Sequence, residues 1–111
     1  MAIYKNVTGE LTQQVLASSE IGESIKSIVL TNIEGTNKCT VDMYIEDSNG
    51  VKVYLIHSVV LPIGTSLILG KEHLRSIIFG DALLGHSLYI KLTKSASETP
   101  AVDLIIDNTM F

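Results

Sequence analysis

Histidines are the side chains of this chain best suited to hold a metal or move a proton. His57, His73 and His86 are the three histidines of the sequence. No two of them have the spacing that places metal ligands on one face of a strand or a helix. The sequence therefore predicts no metal site. His57 interrupts an otherwise apolar stripe, which predicts a position at a strand edge or at a subunit contact.

Carboxylates cluster at two places in the chain. Asp42, Glu46 and Asp47 lie close together in sequence. Glycosidases use paired carboxylates on opposite sides of a cleft, but these alternate along an extended segment, and we expect a solvated sheet face. The segment that begins at Asp47 lacks the later oxygen ligands of a calcium loop and is interpreted as a turn. Asp103 and Asp107 are expected to keep a strand edge soluble.

Nucleophilic chemistry finds no support in the sequence. Cys39 is the single cysteine, and it belongs to an apolar alternating stripe, which predicts a buried structural thiol rather than a reactive one. No serine stands in a Gly-x-Ser-x-Gly elbow, and no glycine motif that cradles phosphate is present. We therefore expect no catalytic residue and no cofactor, and we expect that the protein is not an enzyme.

Tyrosines and the carboxyl-terminal residues make up the candidate interaction surface. Tyr44 and Tyr54 are expected to face each other across a hairpin, where they either stabilise the sheet or form a platform that binds sugars or cell surfaces. His57 lies on the same hairpin. Met110 and Phe111 end the chain with apolar side chains, which suggests docking onto this domain or a neighbour.

Alternation with period two runs through almost the whole chain and predicts β-strands. In residues 39–46 the odd positions are apolar, so the even positions, Tyr44 among them, are expected to face solvent. Asn49-Gly50 predicts a tight primed turn between the two strands of an antiparallel hairpin. Predicted strands cover residues 11–16 (alternatively a short helical turn), 24–33, 38–46, 51–61, 65–69, 87–93 and 102–107. Residues 71–85 are predicted to be mostly β and loop, with about two helical turns at 73–79 as the alternative.

About seven or eight short strands with no long helix predict one fold class. That class is an all-β, antiparallel β-sandwich or jelly roll, formed by a single domain over residues 1–111. The amino terminus resembles no signal peptide, and no apolar run is long enough to span a membrane. A lone cysteine suits synthesis in a reducing cytosol.

The composition favours contacts with other proteins. Apolar residues make up 46% and charged residues 18% of the chain, against about 25% charged in ordinary soluble domains. A sandwich of this size cannot bury that many aliphatic side chains, and large exposed apolar patches usually mark protein interfaces. We therefore expect an oligomer or an assembly subunit. The net charge of −4 and the scattered basic residues argue against nucleic-acid binding.

The order of strands and turns is similar to that of a known group of proteins. The motifs are Ser-Ile-x-x-Ile-x-Leu-Thr-Asn at 24–32, Thr-Val-Asp-Met-Tyr-Ile-Glu-Asp at 40–47, Val-Leu-Pro-Ile-Gly-Thr-Ser-Leu at 60–67 and Val-Asp-Leu-Ile-Ile at 102–106. They resemble small β-sandwich virion structural proteins of tailed bacteriophages, closely over residues 24–69 and loosely over 86–107.

The resemblance implies a structural role and supplies no site residues. It implies a capsid decoration or cement subunit, or alternatively a neck, tail, baseplate or fibre-attachment protein. The implied partners are copies of itself and other virion proteins, such as the major capsid protein or neck and tail proteins. The implied location is the virion, after synthesis in the cytoplasm of a bacterial host.

Overall fold

Eight β-strands form the part of the chain that the computed structural model describes, namely residues 2–16, 27–70 and 87–107. The strands are β1 (Ala2–Thr8), β2 (Gln13–Leu16), β3 (Ser27–Asn32), β4 (Cys39–Glu46), β5 (Lys52–Leu61), β6 (Ser66–Leu69), β7 (Ser87–Lys94) and β8 (Ala101–Asp107). The described ranges contain no helix that is long and apolar enough to cross a membrane.

Two antiparallel sheets of four strands each make up the sandwich. Sheet 1 has the strand order β1-β8-β3-β6, and sheet 2 has the order β2-β7-β4-β5. Successive strands alternate between the two sheets except at the β4–β5 hairpin, which is the arrangement of a jelly roll. The predicted all-β sandwich of seven to eight strands is therefore confirmed. The segment 71–85, predicted to be mostly β and loop, lies outside the described residues.

The core lies between the sheets and follows the alternation of the sequence. The inward side chains that are exposed by less than 2% include Ile28, Leu30, Cys39, Val41, Met43, Leu88, Ile90, Leu92, Val102, Leu104 and Ile106. Each buried Leu or Ile contributes about 1.5–3 kcal/mol relative to an exposed one. The prediction that Cys39 is a buried thiol is confirmed, and its burial raises the pKa of that thiol.

Strand β1 was not expected from the sequence. It pairs with β8 in an unbroken register from Ala2↔Asp107 to Thr8↔Ala101. Because β8 pairs with β1 on one side and β3 on the other, β8 is an interior strand. The expectation that Asp103 and Asp107 protect a strand edge is therefore wrong.

The turn between β4 and β5 is longer than expected. Gly50 has a φ of +83°, its N–H donates to the Asp47 carbonyl at 3.1 Å, and the Asp47 N–H donates to the Val51 carbonyl at 3.1 Å. The Asp47 carboxylate accepts the N–H groups of Asn49 and Val51 at 2.9 and 3.0 Å. This is a three-residue loop with a left-handed glycine, so the predicted two-residue primed turn is wrong.

Strand β5 loses its alternation because its register with β4 shifts twice. Leu55 and Ile56 are both buried although they are neighbours in sequence. Ser58 has a φ of 54°, the only positive φ of a non-glycine residue among those described. Such shifts are β-bulges, which bend a strand and redirect its side chains.

Asn32 is a buried polar residue at the end of β3, exposed by 1%. Its amide nitrogen donates to the carbonyls of Leu61 at 3.0 Å and Asn37 at 3.1 Å, and its amide oxygen accepts the Glu34 N–H at 3.0 Å. Asn32 therefore ties the loop after β3 to the end of β5 in the opposite sheet.

Candidate functional site

The outer face of sheet 1 carries an apolar row that crosses all four of its strands. The register aligns Tyr4 with Ile105, Ile105 with Val29, and Val29 with Ile68. Tyr4 is 74%, Ile68 65% and Ile105 40% exposed, whereas Val29 is half-buried. At about 4.8 Å between strands the row spans roughly 14 Å. It is an apolar surface that nothing in the described chain covers.

A polar row lies beside the apolar row, two positions away on each strand. It consists of Asn6, Asp103, Thr31 and Ser66. The Asn6 amide donates to the Asp103 carboxylate at 2.8 Å, and the Thr31 and Ser66 hydroxyls lie 2.7 Å apart. The apolar row therefore has a hydrogen-bonded polar border, the layout that protein interfaces commonly show.

A depression of about 380 Å³ opens where the two rows meet at β1 and β8. It is lined by Tyr4, Lys5, Asn6, Asp103, Leu104 and Ile105. Its volume lies near the lower end of the range of about 300–1,000 Å³ found for ligand pockets. The depression combines an aromatic ring, an aliphatic side chain and a carboxylate at one place.

The outer face of sheet 2 carries a different row, made of tyrosines. The register aligns Tyr89 with Tyr44 and Tyr44 with Tyr54. The rings of Tyr44 and Tyr89 stack at 5.4 Å between centroids, and those of Tyr44 and Tyr54 lie 5.2 Å apart. The Tyr89 hydroxyl contacts Gln14 Oε1 at 3.3 Å, and the Lys52 ammonium lies 5.1 Å from the Tyr44 ring centroid.

Tyr44 is consequently covered by its neighbours. It is only 6% exposed, and burial raises the pKa of its hydroxyl. The expectation that Tyr44 faces solvent is therefore wrong, although its side chain does lie on the outer face. The expected pairing of Tyr44 with Tyr54 is confirmed.

His57 stands beside the tyrosine row on β5, an edge strand of sheet 2. Its Nδ1 lies 2.9 Å from Asp42 Oδ1, and its side chain is 69% exposed. Its ring meets Tyr54 edge-on at 4.8 Å. The Ser58 N–H also donates to Asp42 Oδ1, at 2.7 Å. Asp42 therefore holds the bulge at residues 57–58 in place, which is a structural role rather than the solvated one expected for it.

The described residues show no cluster of side chains that could hold a metal ion. No group of three or more His, Cys, Asp or Glu side chains gathers in residues 2–16, 27–70 and 87–107. Asp42 and His57 form a pair whose other contacts are a backbone N–H and a tyrosine ring. What these surfaces offer chemically is packing and hydrogen bonding.

The predicted interaction residues divide between described and undescribed parts of the chain. Tyr44, Tyr54 and His57 come together on sheet 2, whereas Met110 and Phe111 lie outside the described residues. Sequence reasoning missed the apolar row because it missed β1, which carries Tyr4. The signal was present: residues 2–8 contain no proline or glycine and alternate Ile3 and Val7 with polar or aromatic residues.

Comparison with known proteins places the chain by fold. No family model matches it, and no curated protein matches its sequence. Among solved structures it is similar to the Yersinia pseudotuberculosis-derived mitogen, with a TM-score of 0.56 and 13% identity over 100% of this chain and 88% of that one. At this identity the likeness shows a shared β-sandwich fold and nothing of function.

Two viral structures also match, more weakly. A chain of the infectious bursal disease virus Gx strain has a TM-score of 0.42 and 10% identity over 99% of this chain and 28% of that chain. The infectious bursal disease virus VP2 subviral particle has a TM-score of 0.36 and 9% identity over 96% of this chain and 33% of that chain. Because both TM-scores lie below 0.5, these likenesses carry no argument.

Proposed function

We propose that this chain is a non-enzymatic structural subunit of a phage particle, which binds neighbouring virion proteins through the apolar row of sheet 1. The observation that carries the proposal is that Tyr4, Ile105 and Ile68 align across the sheet and remain exposed. Burial of apolar surface is favourable by about 25 cal/mol per Å². A continuous apolar row with a polar border is therefore a surface that gains from being covered by a protein.

The strand edges favour packing on the face over addition of a strand. β1 is an edge strand of sheet 1, and it carries the exposed Lys5, paired in the register with Leu104. A charged lysine on an edge strand discourages pairing with another strand. β5, the long edge of sheet 2, is interrupted by two register shifts. The face of sheet 1 is then the more accessible surface for a partner.

The virion part of the proposal is supported by the resemblance of the strand-and-turn motifs to phage structural proteins. The jelly roll is also a fold that viral capsid proteins use, along with lectins and cupins. Within the particle we propose a capsid decoration or cement subunit first. A neck, tail, baseplate or fibre-attachment position is the alternative.

A carbohydrate- or cell-surface-binding module is the other candidate, and it would use the tyrosine row. Sugars stack on exposed ring faces, and here Tyr44 is covered by Tyr54 and Tyr89. Tyr54 is 44% exposed and remains the one ring of the pair that a sugar could reach. Binding on a glycan array that disappears in Tyr54→Ala would support this candidate over the structural one.

The proposal is tested by a quantitative mass-spectrometric inventory of purified particles from the source organism. A decoration subunit is expected at a copy number comparable with that of the major capsid protein, and a neck or tail protein at far fewer copies. Absence of the chain from the particles would contradict the proposal.

Two matched variants test the surface itself. Ile68→Lys places a charge in the apolar row of sheet 1, and Val60→Lys places one on the outer side of β5, where Val60 is 48% exposed. Both variants are expected to fold, because both side chains lie on edge strands and face outwards. We expect Ile68→Lys to lose at least about tenfold in binding to particles that lack the protein, a loss of about 1.4 kcal/mol. Val60→Lys is expected to bind like the wild type, and equal losses in both variants would overturn the choice of face.

A further inference from the structure

We propose that the depression between β1 and β8 receives an arginine side chain of the partner protein. The inference rests on the proposed function, because it specifies the chemistry of the partner that covers the apolar row. It concerns one end of that row, where Tyr4, Ile105 and Asp103 line the same depression.

The lining residues match the two parts of an arginine side chain. An arginine has an apolar stem and a planar cationic head that stacks on aromatic rings and binds carboxylates through two N–H groups. The Tyr4 ring, which is largely exposed, and Ile105 offer a surface for the stem and for stacking. Asp103 offers the carboxylate for the head. Asn6, whose amide donates to Asp103 Oδ1 at 2.8 Å, holds that carboxylate in place.

The outward residues around the depression supply no cation for Asp103, so the cation must come from another molecule. None of the described outward residues of sheet 1 is a lysine or an arginine. Within the described residues no ion pair forms at Asp103. A second copy that presented the same face would bring no outward lysine or arginine of sheet 1 to Asp103. The occupant is therefore a different protein surface that carries an arginine beside apolar residues.

Lys5 also lines the depression and is the cation nearest to it in sequence. It pairs with Leu104 in the register and belongs to the inward set of β1, whereas Asp103 pairs with Asn6 in the outward set. The Lys5 side chain is exposed, and among the described residues it forms no ion pair with Asp103. The Asp103 carboxylate is therefore open to an incoming cation.

The test uses the intact chain and two blocked tripeptides as probes. Acetyl-Leu-Arg-Leu-amide carries the proposed anchor, and acetyl-Leu-citrulline-Leu-amide is nearly the same shape without the charge. Chemical-shift changes in the NMR spectrum of the isotope-labelled protein give the dissociation constants and locate the binding. We expect the shifts to centre on the amides of Asn6, Asp103 and Ile105. An exposed charge pair favours the arginine peptide by about three- to fivefold.

Asp103→Asn is the decisive variant. An asparagine at this position still offers an oxygen to the Asn6 amide, so the fold is retained, but the charge is gone. We expect the preference for arginine over citrulline to disappear in this variant and to persist in Lys5→Ala. Equal affinity for the two peptides in the wild type, or shifts centred elsewhere, would overturn the inference.

Failure of the anchor and failure of the proposed function have different signatures. If Ile68→Lys still abolishes particle binding while the peptides show no preference, the face is an interface and its partner has no arginine anchor. If the purified chain forms dimers that Asp103→Asn dissolves, the occupant is a second copy and the inference is wrong. If the peptides behave as expected but Ile68→Lys binds particles normally, the pocket is real and the proposed function is wrong.

Discussion

The outer faces of the two sheets have a similar layout, but the row on sheet 2 is largely covered and the row on sheet 1 is exposed. Each carries a row of side chains that the register aligns across neighbouring strands, four on sheet 1 and three on sheet 2. On sheet 2 the central tyrosine is almost completely covered, while on sheet 1 the row stays open. The difference shows that an apolar row by itself does not mark a binding surface. An apolar row is a candidate binding surface only where its own side chains leave it exposed.

Side-chain reach explains the difference. Neighbouring strands lie about 4.8 Å apart, and the large flat rings of Tyr44, Tyr54 and Tyr89 bridge that distance and pack on one another. Ile105 and Ile68 are separated by the half-buried Val29 and are too short to shield each other. Tyr4 stands at the edge with a neighbour on one side only. The tyrosine row therefore stabilises its own sheet, whereas the apolar row stays exposed.

The largest predicted effect compares a tyrosine from each row. Tyr44→Ala removes a buried ring that packs on two others and is expected to lower the free energy of unfolding by about 2–4 kcal/mol. Tyr4→Ala removes an exposed ring and is expected to change it by less than about 0.5 kcal/mol. Urea unfolding of the two variants measures both values. Similar losses would mean that the two rows do not differ as described.

The next effect compares an aspartate from each face. Asp42→Ala leaves the Ser58 N–H and His57 without their shared acceptor and is expected to cost about 1–2 kcal/mol of stability. Asp103→Ala loses only an exposed bond to Asn6 and is expected to cost less than about 0.5 kcal/mol. Urea midpoints again give the comparison. An Asp103→Ala loss as large as that of Asp42→Ala would show that the sheet 1 face is itself part of the stabilising structure.

A smaller effect tests the bulge beside the tyrosine row. Ser58 has a left-handed backbone, with φ of 54°, which costs a non-glycine residue about 1–2 kcal/mol. Ser58→Gly relieves that cost and loses backbone entropy in folding, so a net gain of about 0.5 kcal/mol is expected. Ser58→Ala keeps the strained conformation and serves as the control, with no gain. A clear loss in thermal stability on Ser58→Gly would contradict the assigned strain.

The smallest effect is the pH dependence of Tyr44. Burial raises its folded-state pKa above the usual value of 10.0, so the neutral hydroxyl is favoured in the folded chain. The stability that this provides is fully present below pH 10 and is lost as the pH rises through the folded pKa. The wild type is therefore expected to lose stability above pH 10 relative to Tyr44→Phe. Parallel unfolding curves for the two proteins up to pH 11 would contradict it.

The core and most of the strands could be predicted because period-two alternation reports directly which face is buried. Leu88, Ile90 and Leu92 on β7 are an unbroken example, and all three are fully buried. β1 was missed because Lys5 interrupts its inward set. Alternation also failed along β5, where two bulges bury the adjacent Leu55 and Ile56. A single extra residue in a β-ladder leaves no trace in the hydropathy pattern of the sequence.

The surface was harder to predict, since it depends on which strands become neighbours. The pairing of Tyr44 with Tyr54 is local to one hairpin and was foreseen. Tyr89 reaches Tyr44 only because β7 pairs with β4, and this contact changes Tyr44 from an exposed to a covered ring. The apolar row likewise depends on β8 lying between β1 and β3. Pairings between strands so distant in sequence are set by the topology of the whole sandwich.

Thiol labelling tests whether the apolar row of sheet 1 is covered in particles, as the proposed function requires. Ile68→Cys places an exposed thiol on sheet 1, and Val60→Cys places one on sheet 2. The native Cys39 is buried and its thiol pKa is raised, so it gives little background labelling. Both variants are expected to react with maleimide at similar rates as isolated chains. In particles, we expect Ile68→Cys to be protected while Val60→Cys still reacts. An Ile68→Cys thiol that reacts equally fast in particles and in isolation would contradict it.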